Sequence, residues 1–127
     1  MKLILKILGL LFLVFILFGA GGIFYITRGL KAGETLEIGE VNFGNLPNGT
    51  YTGIFKDGRW SNEVEVYIDN RRIVEIRIVK DVVFSKPEER EDLFSRVIQN
   101  QSLQVDVVAG ATVTSKAYLK ALEDAVN

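Results

Sequence analysis

The chain has 127 residues and a formal net charge of −1, so it carries no basic footprint for nucleic acid. It contains neither cysteine nor histidine, which excludes disulfides, iron–sulfur ligation, Cys/His zinc sites, Ser-His-Asp triads and a histidine general base. Such a chain either binds or takes its chemistry from a cofactor; one domain and an appendage fit its length. Ile7 to Ile26 is uncharged and mostly apolar, and its roughly twenty residues match a membrane-spanning helix. A core helix apolar on all sides has no room in a domain of this size. Lys2 and Lys6 precede the stretch, and Arg28 and Lys31 follow it. With the amino group of Met1 added, the charge rule favours an inside N-terminus and an outside body. Gly19-Ala20-Gly21-Gly22 resembles a signal-cleavage region, but Ile23-Phe24-Tyr25-Ile26 resumes the apolar run, as an uncleaved anchor does. The small residues are either tolerated in lipid or open a helix–helix contact.

The expected organisation is an anchor over 1–28, a tether over 29–45 and a soluble domain over 46–127. In the tether, Leu36-Glu37-Ile38 and Val41-Asn42-Phe43 alternate as a first strand or a partner-facing arm would. Leu46-Pro47-Asn48-Gly49-Thr50 is turn chemistry. Tyr51 to Phe55 reads as a strand stopped by a hairpin signal, Asp57-Gly58. Glu63 to Ile68 alternates, with Val64, Val66 and Ile68 on one side. After Asp69-Asn70-Arg71, Ile73 to Ile78 alternates with slippage: Val74 shares parity with Ile76 and Ile78, and Ile73 takes the other face. Three strands on short turns predict an antiparallel meander with one buried face.

Ser85-Lys86-Pro87-Glu88 has the pattern of a capping box. The helix it opens carries Leu93, Phe94, Val97 and Ile98 as its stripe and ends near Asn100. Its run Glu88, Glu89, Arg90, Glu91 and Asp92 reads as a solvated face. Leu103 to Val108 reads as a central strand, and Ser115 to Val126 as a last helix with Leu119, Leu122 and Val126 inside. The fold class is α+β: an antiparallel sheet with two helices packed on it, preceded by one transmembrane helix.

Between the last strand and helix stands Asp106-Val107-Val108-Ala109-Gly110-Ala111-Thr112-Val113-Thr114-Ser115. Strand, small-residue turn and helix N-terminus can hold a phosphate, because the first helical N–H groups point at the anion. A hydroxyl there can also be esterified by one. Thr112 is otherwise an ordinary cap candidate, but Thr114 or Ser115 can cap the helix and leave it free. Gly110 is either a turn glycine or a gap that lets the phosphate in. Asp106 is either a solvated strand residue or an acid that orients the acceptor hydroxyl or helps hold a metal when a modifying enzyme is bound; no permanent metal site is expected. Tyr51, Trp60 and Tyr118, with Tyr118 foremost, are candidates to flank a flat ring, though core or hairpin packing is the commoner role of such residues.

Asp106-Val107-Val108-Ala109-Gly110-Ala111-Thr112 resembles the flavinylation motif of FMN-binding domains. These occur in flavin subunits of the sodium-pumping quinone reductase and Rnf electron-transport complexes and in small single-domain relatives. Gly49-Thr50-Tyr51-Thr52-Gly53 resembles the Gly-x-Tyr-x-Gly that opens the hairpin run in that family. The resemblance covers about 46 to 126. It implies FMN held by a phosphoester on Thr112, attached by a flavin transferase with FAD as donor. Ala109 stands where the family has Ser or Thr. With the residues read from their own chemistry added, the expected cofactor site comprises Thr112, Ala111, Gly110, Ala109, Asp106, Val113, Thr114, Ser115, Tyr118 and Tyr51. The resemblance also implies a membrane electron donor and an extracytoplasmic acceptor, with the chain a redox carrier rather than a stand-alone enzyme.

Overall fold

The computed structural model describes residues 1–28, 36–41 and 43–127. Of the expected tether, Gly29, Lys31, Gly33 and Glu34 lie outside the described residues, as does Asn42. Helix α1 spans Lys2–Thr27 with none of its residues buried. At about 1.5 Å per residue its 26 residues reach about 39 Å, enough to cross a bilayer core of about 30 Å.

Three antiparallel strands follow in the order β1-β2-β3: β1 Gly49–Phe55, β2 Asn62–Asp69 and β3 Arg72–Lys80. Strand β2 alternates as its sequence demands: Asn62, Val64, Val66 and Ile68 are buried and the residues between them are not. The outer face carries a polar set in which Tyr67 Oη donates to Glu65 at 2.8 Å and the Arg77 guanidinium lies 5.5 Å from the Tyr67 ring centre. The slippage in β3 has a physical cause. Ile68 pairs with Ile73 and Tyr67 with Glu75, so Val74 is the extra residue of a bulge. Ile73, Ile76 and Ile78 therefore all turn toward the core, and Val74 is exposed. A second shift leaves Val79 unpaired between Ile78 and Lys80. The β2–β3 turn places Asn70 and Arg71 at φ of 54° and 65°, the backbone of a tight hairpin. The β1–β2 connection is wider than the Asp57-Gly58 signal predicts. It holds a 3-10 turn, Gly58–Trp60, because Trp60 folds back into the core with 1% exposure.

Helix α2 spans Pro87–Asn100, and α3 spans Thr112–Val126. The α2 stripe of Leu93, Phe94 and Val97 is buried as expected, and Ile98 packs at its edge. Ser85 does not cap α2. The N-cap position is Lys86, and the Ser85 hydroxyl bonds the Asp81 carboxylate instead. Arg90 also departs from the solvated face: it turns inward and pairs with Asp81. Leu103 to Val108 is not a strand. Its backbone groups find side chains in place of a ladder: Arg96 Nη1 donates to the carbonyls of Asp106 (3.0 Å) and Val107 (3.4 Å), and the Val108 N–H donates to Ser115 Oγ (3.3 Å). Residues 36–41 form no strand either. They run along the domain, where Gln104 Nε2 donates to the Ile38 carbonyl at 2.6 Å and Ile38 and Val41 pack on the core.

Helix α3 covers β1 and β2. Ala117, Ala121 and Ala125, four residues apart, form a flat buried stripe that lets backbone meet backbone. Gly53 lies against it: a Cβ there would sit 1.9 Å from the Ala121 carbonyl oxygen and 2.5 Å from the Ala125 nitrogen. Leu119, Leu122 and Val126 are buried as predicted. Helix α3 begins three residues earlier than Ser115 because the turn before it closes early.

Candidate functional site

That turn is Val108-Ala109-Gly110-Ala111, closed by the Ala111 N–H on the Val108 carbonyl at 3.0 Å. Gly110 occupies its third position with φ of +80°, as a type II turn requires. A Cβ at Gly110 would meet open space, so the backbone sign and not crowding calls for glycine. Gly110→Ala should lower stability by about 1 kcal/mol. Thermal denaturation checks this, and an unchanged Tm would contradict it.

Thr112 is the first residue of α3, with Ala111 at the cap position. No side chain caps the helix. The expected caps do other things: Ser115 is buried and bonds back to Val108, and Thr114 makes no capping bond. The helical ladder starts with the Ser115 N–H on the Ala111 carbonyl at 2.8 Å, so the amides of Thr112, Val113 and Thr114 belong to the open end of the helix. The Thr112 side chain is half-exposed and accepts no cap bond.

Gly110 to Thr114 line an open hollow of about 270 Å³ together with Arg59 and Trp60. Asn62 holds these distant segments together: its Nδ2 donates to the Trp60 carbonyl (3.1 Å) and to the Ala117 carbonyl on α3 (3.2 Å). The Arg59 guanidinium stacks 4.0 Å from the Trp60 ring centre, and its Nε donates to the Ile26 carbonyl at the end of α1 (2.7 Å). Arg59 thus brings positive charge to a rim already made electropositive by the start of α3.

Sequence reasoning missed Arg59. It stands more than fifty residues from Thr112, and no local pattern joins them. Other expected contributors lie elsewhere. Tyr51 is half-buried and its hydroxyl donates to the Pro47 carbonyl at 2.6 Å, toward the opposite end of the sheet. Asp106 is exposed and lines a separate hollow with Arg96, Asn100 and Gln104. Ala109 is exposed on the turn. Among the described residues no group of three acidic side chains is gathered as a metal site would require.

Tyr118 lies in the core, 2% exposed, with Phe94 edge-on at 5.6 Å between ring centres. Its hydroxyl bonds the Asp81 carboxylate, which also pairs with Arg90. Burial and the neighbouring carboxylate push the Tyr118 phenol far up. Burial alone would raise Asp81, but hydrogen bonds from Tyr118, Ser85 and the Val82 N–H, with the Arg90 charge, hold it below the ordinary 3.8. A carboxyl depressed in the folded state contributes stability that is complete above its unfolded value and is lost as pH falls through the folded one. Asp81→Asn should therefore cost about 1–3 kcal/mol at neutral pH and flatten the fall in Tm below about pH 4. An acid limb identical to the wild type would contradict this.

No curated protein matches the chain. The family model of the FMN-binding domain matches residues 21–127. The match takes in the close-packed Gly53 and the open turn at Thr112, and by it the chain belongs to the FMN-binding domain family and is a flavin-binding protein.

Proposed function

We propose that the chain carries FMN as a phosphoester on Thr112 and relays electrons between a membrane donor and an extracytoplasmic acceptor, anchored by α1. The observation that carries this reading is the Thr112 hydroxyl, presented at an open helix start in a family that binds FMN. The residues fit the group. The amides of Thr112, Val113 and Thr114, at the open start of α3, would donate to its phosphate, and Arg59 would add charge. The hollow, at about 270 Å³, is smaller than most ligand pockets, which run from ~300 to 1,000 Å³. That size suits the phosphate end of the cofactor, which a covalent bond would retain where the hollow alone would hold it weakly.

Attachment balances as a transfer. The Thr112 oxygen attacks the FMN phosphorus of FAD, AMP leaves, and the hydroxyl proton is released. A separate flavin transferase supplies the catalysis, since among the described residues no general base lines the hollow beside Thr112. Bound flavin supplies electron transfer that the side chains cannot perform. The chain's own residues hold the phosphate, fix the start of α3 and keep Trp60 against it.

A second reading, FMN held non-covalently, rests on Ala109, which lacks the hydroxyl of the family motif. Co-expression with a flavin transferase followed by denaturing electrophoresis separates the two. A band with flavin fluorescence is expected; flavin running free of the chain would overturn the covalent reading.

A further inference from the structure

Strand register sorts the domain into two ends. Phe55, Asn62 and Lys80 lie at one end of the sheet, and the Asn70-Arg71 turn lies at the other, about 20 Å away along β2. The loop 56–61 at the first end meets α1, through Arg59 Nε on the Ile26 carbonyl at 2.7 Å, and the loop 81–86 lies beside it. Among the described residues beyond α1 toward the C-terminus, the exposed large apolar side chains are Ile54, Val74, Val79, Val83 and Phe84. Val83 and Phe84 are consecutive, each 56% exposed, and belong to this end.

We propose that this end is a membrane-contacting edge, with Val83 and Phe84 seated among anionic lipid headgroups beside the chain's own α1. The proposal rests on the reading that α1 spans a bilayer. The apolar pair is not left out by a loose loop. Val82 before it is buried, Asp81 is tied to Tyr118 and Arg90, and the Val83 N–H donates to the Arg59 carbonyl at 2.9 Å. The Arg59 guanidinium, 5.4 Å from the Phe84 ring centre, sits between this pair and the end of α1. A fixed, exposed apolar pair next to a membrane-length helix marks an interaction surface.

The charges around it suit headgroups. Lys56, Lys80 and Lys86 are exposed, and Arg59 adds a fourth cation. Lys86 lies 3.7 Å from Glu89 and so shares its charge in part. Of the acids in the neighbouring groove, Asp81 is turned inward and Glu63 is half-buried. An apolar wedge ringed by lysines is the chemistry of a membrane-surface contact. Because the Thr112 hollow shares Arg59 with this edge, docking sets the hollow beside the headgroup layer.

The chain has no cysteine, so single-cysteine probes carry no background. The full chain, reconstituted in phosphatidylcholine–phosphatidylglycerol vesicles with a nitroxide on the acyl chain near the headgroup, is labelled with a polarity-sensitive fluorophore at one of three places. Leu13→Cys reports the span, Lys86→Cys the proposed edge, and Asn70→Cys the far end. Quenching at Leu13→Cys and Lys86→Cys with none at Asn70→Cys is expected. Adding Val83→Asp and Phe84→Asp to Lys86→Cys should lower its quenching to the Asn70→Cys level. Quenching at Leu13→Cys with Lys86→Cys as bright as Asn70→Cys would overturn the docked edge and leave the anchor standing. No quenching at Leu13→Cys would overturn the anchor, and the edge with it.

Discussion

Thr112→Val, co-expressed with a flavin transferase, is expected to fold normally and to show no flavin fluorescence on a denaturing gel. The effect is all-or-none, since valine keeps the β-branched shape and removes the single atom that forms the ester. Thr112 makes no capping bond, and its side chain is half-exposed at the first position of α3, so the fold loses little with its hydroxyl. Surface changes of this kind stay within about 0.5 kcal/mol. The paired measurement is Tm: a fluorescent Thr112→Val band at wild-type Tm would place the ester on another hydroxyl, such as that of Thr114, which also lines the hollow.

The largest expected effect on stability comes from Gly53→Val. A Cβ at that position falls 1.9 Å from the Ala121 carbonyl and 2.8 Å from the Ala125 Cβ. The obstruction is helix backbone, which cannot swing aside as a side chain does. Overpacking a core costs about 1–3 kcal/mol even where neighbours can shift, so a loss of at least about 3 kcal/mol is expected here. For a domain of about a hundred residues that lowers Tm by more than about 10 °C. Helix α3 would also be lifted from β1, which opens the Trp60–Asn62–Ala117 junction that shapes the Thr112 hollow. Gly53→Val should therefore lose flavin loading along with stability, in contrast to Thr112→Val, which loses loading alone. A Gly53→Val protein with wild-type Tm would contradict the close approach.

Alternation made β2 legible: its apolar residues stand every second position and all of them are buried. The same rule misassigned Ile73 and Val74, because a bulge changes parity and nothing in the residues themselves announces it. The stretch 103–108 has the β-branched run of a strand. Its partners are the side chains of Arg96 and Ser115, and such long-range bonds have no local signature. Ser85 matched a capping box until Asp81, four residues earlier, took its hydroxyl. At the candidate site, the turn and Gly110 were readable, because a type II turn makes a local demand. Tyr118 was adjacent to the motif in the chain yet faces the core, and Arg59 was distant in the chain yet lines the hollow. Position along one helix says which residues are near, and the face they take is decided by packing.

The central claim is a bond at one oxygen. Intact-mass measurement of the full chain after co-expression with a flavin transferase, followed by peptide mapping, tests it most directly. The expected result is a gain equal to FMN less one water, carried by the peptide that contains Thr112. An unmodified mass in a preparation that still binds FMN reversibly would contradict it.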